Sequence, residues 1–188
     1  GDRLVQADLA ASLRLIAQQG AKGFYEGRVA RLIADEMRRG GGIIDEEDLR
    51  GYRALEREPV TGTYRGHTIV SMPPPSSGGA ALVEMLNMVE PYDLASLGHN
   101  SSAHLHLVAE VMKRAYADRA AFMADADFAP VPVRGLVSKG YAEVRRKGID
   151  LMRATPSAEI RAGDPLPFES EATTHFSVVA PDGSAVSN

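Results

Sequence analysis

The longest regular pattern in the sequence is helical and covers residues 101–122. Apolar side chains recur there at the spacing that places them on one face of a helix. Glu110–Arg114 and Arg114–Asp118 are spaced as i,i+4 ion pairs on another side of the same helix. The pattern predicts one long helix in the middle of the chain. Its predicted inward stripe consists of Leu105, Val108, Met112, Ala115 and Phe122, with Arg119 as the one charged member.

Glycine and proline clusters divide the rest of the chain into shorter helices and two hairpins. We therefore predict an α+β chain that is mostly helical and carries short β hairpins. One hairpin turns at Arg65-Gly66, and Asp45 and Ser138 are predicted helix N-caps. The helices are predicted at about residues 3–19, 26–39, 46–52, 80–90 and 139–147. The strands are predicted at 60–64, 67–70, 175–180 and from 185 onward, the last two joined by a turn at 181–184.

Composition excludes several functional classes. The 188 residues include no cysteine, which rules out disulfides, thiolate metal sites and a cysteine nucleophile. A net charge of −4 argues against a nucleic-acid partner. No apolar run has the length of a membrane span. The chain begins within a helical pattern, so we expect it to be a piece excised from a longer protein.

The sequence changes character abruptly at residue 173. Residues 154–172 contain three prolines and no period, so they are predicted to form an extended linker, and a β-like run follows. This divides the chain into regions 1–172 and 173–188, with the hydroxyl of Thr173 at the junction. If the Ala172–Thr173 bond is cut, Thr173 gains an α-amine with a pKa of about 7.7–8.0. Such a residue can supply both nucleophile and base, although spacing alone equally fits β-branched packing in a strand.

Two other polar positions are candidates for catalysis. His175 is either a second base or a polar residue near the start of a strand. Ser76 and Ser77 lie in a glycine-rich loop that opens a helix and can hold an anion or a developing oxyanion. Pro75 stands where a G-x-S-x-G nucleophile motif needs glycine, so a structural turn and cap is the favoured interpretation there.

We predict no metal site and no cofactor. His106 and Glu110 share a helix face, but His104 points elsewhere and no H-E-x-x-H motif is present. Asp125 and Asp127 alternate as calcium ligands sometimes do, yet the other positions of an EF-hand loop are missing. Solvated carboxylates are the simpler interpretation of both aspartates.

Several distinctive motifs follow one another along essentially the whole chain. They are Phe24-Tyr25-Glu26-Gly27, GGIIDEEDLRGY at 41–52, SMPPPSSGG at 71–79, KRAYADR at 113–119, and TTHFSVV at 173–179 with the turn Pro181-Asp182-Gly183. In sequence and in order these motifs resemble those of γ-glutamyltranspeptidase precursors. The resemblance makes the chain similar to the central part of such a precursor, spanning the end of the large subunit and the start of the small one.

The resemblance implies an N-terminal nucleophile hydrolase, in which two sheets lie between helical layers. The precursor is expected to cut itself between Ala172 and Thr173. Thr173 is then expected to attack γ-glutamyl amides such as glutathione and to pass the acyl group to water, an amino acid or a peptide. Neither a metal nor an organic cofactor is needed for this chemistry. The implied partners are a small γ-glutamyl substrate and the remainder of the same precursor.

The resemblance also places essential parts of the site outside this chain. The arginine that holds the substrate carboxylate is expected upstream, and the groups that support the nucleophile and the oxyanion are expected beyond Asn188. No substrate-binding residue is therefore assigned here, and the isolated chain is expected to have little activity. A related acylase, a capsule-depolymerising relative and a non-catalytic helical scaffold remain alternatives. The sequence assigns no compartment, and only the family analogy favours the periplasm or the cell exterior.

Overall fold

A computed structural model of the protein describes residues 1–169, 177–179 and 185–187. The chain divides into two compact units, residues 1–56 and 57–188. This division is separate from the predicted boundary at residue 173, which lies outside the described residues and stays a prediction. The first unit contains the helices α1 (Ala7–Gln19), α2 (Lys22–Tyr25), α3 (Gly27–Gly40) and α4 (Glu46–Gly51).

Local signals in the first unit define its helix ends. Helix α3 buries Val29, Ala30 and Ala34, and it ends at Gly41, whose φ of 75° suits a residue without a Cβ. The predicted Asp45 cap is confirmed as a reciprocal capping box, because the side chain of Asp45 accepts from the N–H of Asp48 and the side chain of Asp48 accepts from the N–H of Asp45. Helix α1 begins at Ala7, four residues later than predicted.

The second unit combines two hairpins with a layer of helices. The strand pairing confirms both predicted hairpins, with Tyr64 opposite His67 and Val178 opposite Val186. Arg65 and Gly66 both have positive φ (48° and 81°), as a two-residue hairpin turn of this type requires. The elements are β1 (Val60–Tyr64), β2 (His67–Ser71), α5 (Gly78–Val89), α6 (Leu94–Leu97), α7 (Ser102–Phe122), α8 (Val133–Leu136), α9 (Lys139–Arg146), β3 (Ser177–Val179) and β4 (Ala185–Ser187).

The core of the second unit lies where α5 packs against α7 and α9. Met88 of α5, Leu107 and Val111 of α7 and Ala142 of α9 are buried together there. The first hairpin packs on α5 at Gly62. A Cβ at this position would lie 2.4 Å from a methyl group of Val83, so the absence of a side chain permits the contact. Apolar burial of this kind is the main driving force for assembling the layer.

The predicted inward face of α7 is only partly correct, because Ala115 is buried but Leu105 and Met112 are not. Leu105 and Met112 are 54% and 42% exposed, and the helix is turned so that a neighbouring, more polar stripe is buried. The Glu110–Arg114 pair exists but is buried, and Asp118 pairs with Arg145 of α9 instead of with Arg114. The more polar stripe can face the core because its charges find partners on other segments. The buried stripe consists of Leu107, Glu110, Val111, Arg114, Ala115 and Asp118.

The segment predicted as a linker is not fully extended. Short 3-10 helices form at Ser157–Glu159 and Leu166–Phe168, and residues 170–172 lie outside the described part. Within the described residues, no helix combines the length and the apolar character needed to cross a membrane.

Candidate active site

The predicted nucleophile Thr173, its neighbour Ala172 and the candidate base His175 lie outside the described residues, so their roles stay predictions. The described chain does reach Glu169, four residues before Thr173. The structure therefore shows how the segment that leads to the candidate scission site is held. That segment crosses α8, α9 and the buried face of α7.

Glycine 135 holds the last part of this segment against α8. The N–H of Gly135 donates to Oε2 of Glu169 at 2.7 Å. A Cβ on Gly135 would lie 2.2 Å from the carbonyl oxygen of Pro165, so only glycine allows this approach of the two backbones. At Glu169, four residues before Thr173, the chain is thus still anchored by its backbone and by a carboxylate.

Aromatic packing fixes the same segment against α9. The ring of Phe168 lies 5.8 Å from the ring of buried Tyr141 in a tilted arrangement. A Cβ on Gly140 would lie 3.0 Å from the Phe168 ring, so this glycine also makes room for the segment. The contact adds apolar burial to the polar anchor at Glu169.

Asp118 is the centre of a buried polar cluster between α7 and α9. Its side chain is fully buried. Its Oδ1 accepts from the N–H of Gly163 at 2.7 Å, and its Oδ2 accepts from the hydroxyl of Tyr141 at 2.9 Å. Nε of Arg145 forms an ion pair with Oδ2 at 2.8 Å. One carboxylate thus connects two helices to the backbone that leads toward residue 173.

Arg145 extends this cluster to a second backbone group of the segment. Its Nη2 donates to the carbonyl oxygens of Arg114 and Arg161, each at 3.1 Å. The segment is therefore held by a carbonyl at Arg161 and by an N–H at Gly163. A Cβ on Gly163 would lie 2.3 Å from the Tyr141 hydroxyl, which leaves room for glycine alone.

Glu84 of α5 is the second acid of the Asp118 cluster. It is only 2% exposed and is hydrogen-bonded to Asp118. Burial, followed by that hydrogen bond and the charge of Asp118, raises the pKa of Glu84 to about 9. Glu84 is therefore protonated at neutral pH, and the two acids together carry one negative charge. Burial and Asp118 also raise the pKa of Tyr141 well above its usual value, so its phenol stays a donor.

Glu110 forms a second buried cluster two turns earlier on α7. Its Oε1 accepts from Lys113 and, at 2.9 Å, from the N–H of Thr155, while its Oε2 accepts from Nη1 of Arg114 at 2.7 Å. Arg114 also donates to the carbonyl of Gly148, and Lys113 donates to that of Thr155 at 2.7 Å. Burial alone would raise the pKa of Glu110, but the bonds from Lys113, Arg114 and Thr155 outweigh it and lower the pKa to about 2.

These contacts explain the motif at 113–119 in physical terms. Lys113, Arg114 and Asp118 each form a hydrogen bond with the backbone of residues 148–163, the chain that follows α9. Nε of Arg119 donates to the hydroxyl of Ser77 at 2.7 Å. Sequence reasoning missed this buried network. The available signal was the regular i,i+4 spacing of Glu110, Arg114 and Asp118, which also fits a solvent-exposed face.

The glycine-rich loop before α5 has a structural arrangement. Oγ of Ser76 accepts from the N–H of Gly78 at 3.4 Å, which is a turn contact. Ser77 stands at the N-cap of α5 but makes no capping bond there, because its hydroxyl accepts from Arg119. The structural turn predicted for Ser76 and Ser77 is confirmed, whereas Ser77 at the N-cap makes no side-chain capping bond.

The residues considered as metal ligands are separated by other contacts. Nδ1 of His104 accepts from the N–H of Asn100 at 3.2 Å, and Nε2 of His106 lies 2.8 Å from the carbonyl of Asp150. Asp127 pairs with Arg57, and Asp125 accepts from the N–H of Asp127 at 3.0 Å. In residues 1–169, no three His, Asp or Glu side chains are arranged to share a metal ion.

Comparison with known proteins gives a consistent result. The sequence pattern of the family described as Gamma-glutamyltranspeptidase matches residues 1–188. The chain is 49% identical over 186 residues to the glutathione hydrolase proenzyme of Escherichia coli, covering 99% of this chain and 32% of that protein. It is 46% identical over 188 residues to the acylase ACY 1 proenzyme of Pseudomonas sp. strain SE83, covering 100% of this chain and 33% of that protein.

A solved structure shows the same fold. The γ-glutamyltranspeptidase of Helicobacter pylori superposes with a TM-score of 0.78 at 50% identity, covering 87% of this chain and 47% of that chain. Together these likenesses place the chain in the class of N-terminal nucleophile hydrolases, which confirms the predicted fold class. The chain belongs to the γ-glutamyltranspeptidase family. It spans about a third of the length of the curated relatives that it matches.

Proposed function

We propose that this chain is the central part of a glutathione hydrolase precursor that cuts itself between Ala172 and Thr173. The family match, which runs through residue 173, is the observation that carries the proposal. The E. coli relative is named a proenzyme, in agreement with a precursor that is processed. The anchoring of the chain up to Glu169 supports a fixed approach to the scission site.

The proposed scission is an intramolecular acyl transfer. Oγ1 of Thr173 attacks the carbonyl carbon of Ala172, its proton leaves, and the C–N bond breaks with protonation of the nitrogen. The product is an ester of Ala172 with the Thr173 side chain. Water then hydrolyses this ester, which leaves a carboxylate on Ala172, the hydroxyl of Thr173 restored and a free α-amine on Thr173.

The free amine makes Thr173 competent for turnover. With a pKa of about 7.7–8.0, this amine takes the hydroxyl proton as Oγ1 attacks the carbonyl of a γ-glutamyl amide. The amine of the substrate leaves with that proton, and the γ-glutamyl group stays on Thr173 as an ester. Attack by water gives hydrolysis, and attack by an amino acid or peptide amine gives transfer.

The remainder of the precursor is the proposed partner of this chain. The chain spans about a third of its relatives, so two thirds of a comparable enzyme are contributed from outside it. Stabilisation of the oxyanion is often the largest single contribution to such acyl transfer, and the resemblance assigns those groups to the remainder. We expect the chain of residues 1–188 alone to turn over γ-glutamyl anilides far more slowly than the full-length protein.

Two neighbouring threonines provide a matched test of the scission. In the full-length protein, Thr173→Ala should leave one uncut chain, whereas Thr174→Ala should still give two pieces, one beginning at residue 173. Intact mass and N-terminal sequencing read out the result. A fully active wild-type protein that remains a single chain, or a Thr173→Ala protein that is still cut at the same bond, would refute the proposal.

A related acylase is the second candidate, because a relative as similar as the acylase ACY 1 proenzyme has that name. The two candidates share the scission and differ in the acyl donor. Processed full-length protein should be assayed with a γ-glutamyl anilide and with an acyl anilide of similar length that lacks the α-amino and α-carboxylate groups. Preference for the first supports the glutathione hydrolase, and preference for the second supports the acylase.

A further inference from the structure

We propose that Asp118 and Arg145 are positioning residues for the scission at Ala172–Thr173. This inference rests on the proposed function. The cluster holds the backbone ten residues before Thr173, through the N–H of Gly163 and the carbonyl of Arg161.

The geometry of the hold is specific to the chain that leads to Thr173. The N–H of Gly163 and the carbonyl of Arg161 are bound by two different helices, at 2.7 Å by Asp118 of α7 and at 3.1 Å by Arg145 of α9. A Cβ on Gly163 would lie 2.3 Å from the Tyr141 hydroxyl and 2.8 Å from Cδ of Arg145, so the backbone at Gly163 packs directly against α9. Between these residues and the end of the described segment, Pro165 and Glu169 make the second anchor at Gly135.

Intramolecular attack depends strongly on such restraint. Displacement by about 1 Å from a reactive arrangement can reduce a rate by about a hundredfold. A segment released at residues 161–163 would let the threonine hydroxyl sample many more arrangements relative to the carbonyl of Ala172. The cluster therefore acts on the rate of scission through the position of the chain.

The protonated state of Glu84 sets the charge of this cluster. Asp118 of α7 lies beside Glu84, and Arg119 of α7 lines the same small space between the helices. Tyr141 and Arg145 of α9 lie beside these two acids. From α8, the apolar Leu136 lines this space. With Glu84 neutral, Arg145 balances the one charge of Asp118. Loss of the Glu84 proton at high pH would place two negative charges against one another and weaken the hold on Gly163.

The main test compares Asp118, which binds the backbone N–H of Gly163, with Glu110, which binds that of Thr155. Full-length protein is made by cell-free translation, and the fraction cut at Ala172–Thr173 is followed with time. Asp118→Asn should slow scission by about tenfold or more. Glu110→Gln is the matched control, because Glu110 is equally buried but holds Thr155, eighteen residues before Thr173. Its scission rate should stay within about twofold of wild type.

Thermal unfolding of both variants, measured in the uncut Thr173→Ala protein, separates positioning from stability. Slowing of both variants in proportion to their lost stability would overturn the inference, as would wild-type scission in Asp118→Asn. If Asp118→Asn shows no cooperative unfolding, Tyr141→Phe takes its place and should slow scission about threefold through the loss of one hydrogen bond. A wild-type protein that is never cut would instead reject the proposed function.

The pH profile of scission tests the role of Glu84, and it is compared with thermal unfolding of the same proteins at each pH. Above about pH 9, scission of the wild type should decline relative to Glu84→Gln, since glutamine keeps an N–H donor for Asp118 and cannot ionise. Below pH 8 the two proteins should be cut at similar rates. Parallel profiles across this range would contradict the role assigned to Glu84.

Discussion

The two buried acid clusters of α7 lie on the same helix face, and the pKa values of Glu110 and Glu84 shift in opposite directions. Glu110 is surrounded by Lys113, Arg114 and a backbone N–H, and its pKa falls to about 2. Glu84 shares its site with Asp118, and its pKa rises to about 9. Burial raises the pKa of both acids, so the number of cations per carboxylate decides the direction of the shift.

The difference shows what each cluster contributes. The Glu110 cluster has two cations for one acid, and it binds α7 to the backbone at Gly148 and Thr155. The Asp118 cluster has two acids for one cation, Arg145, and the raised pKa of Glu84 leaves one negative charge opposite that cation. The second arrangement is the more sensitive one, because its charge balance changes with pH near the alkaline end of the physiological range.

Removal of Asp118 should have the largest effect on stability. Asp118→Ala leaves Arg145 as a buried charge without its carboxylate and leaves the N–H of Gly163 without an acceptor. We expect a loss of about 3–5 kcal/mol in the free energy of unfolding. Urea denaturation of the uncut Thr173→Ala protein measures it. A loss below that of Glu110→Gln would reverse the ranking of the two clusters.

Replacement of Glu110 should have a smaller effect that depends on acid pH. Because the folded state lowers the pKa of Glu110 from 4.5 to about 2, its contribution is complete above pH 4.5 and is lost as the pH falls toward 2. We expect Glu110→Gln to cost about 3 kcal/mol at pH 7 and less at pH 3. Denaturation series at both values check this, and an equal cost at the two pH values would contradict it.

Replacement of Glu84 should show the opposite pH dependence. The folded state raises the pKa of Glu84 from 4.5 to about 9, so the wild type loses stability as the pH rises between these values. Glu84→Gln should therefore gain stability relative to wild type across this window, by at most about 1.4 kcal/mol per pH unit. Unfolding midpoints at pH 5 and pH 8 give the comparison. A constant difference would mean that Glu84 is ionised in the folded protein.

The exposed ion pairs of α3 should contribute least to the free energy of unfolding. Arg38 pairs with Asp35 at 2.7 Å on the helix surface, and both side chains are more than half exposed. We expect Arg38→Ala to change the free energy of unfolding by less than about 0.5 kcal/mol. The same urea series measures it. A cost similar to that of Glu110→Gln would show that burial does not distinguish these pairs.

Local signals predicted much of the fold correctly. The Asp45 and Ser138 caps, the Arg65-Gly66 turn and the order of helices and hairpins follow from residues that act on their immediate neighbours. The inward face of α7 was predicted only in part, because the more apolar stripe is the better choice only when the polar stripe has no partners. Those partners, the side chain of Arg145 and the backbone N–H groups of Thr155 and Gly163, are distant in sequence.

The candidate site shows the same division. Thr173 was singled out from the junction of two sequence patterns and from the family motifs, and its role stays a prediction. The anchors at Gly135, Tyr141 and Gly163 were not foreseen, because the need for a glycine appears only when another backbone lies against it.

The sequence by itself determined the longer helices, the two hairpins, the capped helix ends and the family, because caps, turns and motifs depend on neighbouring residues. Only the tertiary structure decided which charges are buried and which acid keeps its proton. The physical reason is that desolvation and pairing depend on groups that folding brings together from distant parts of the chain.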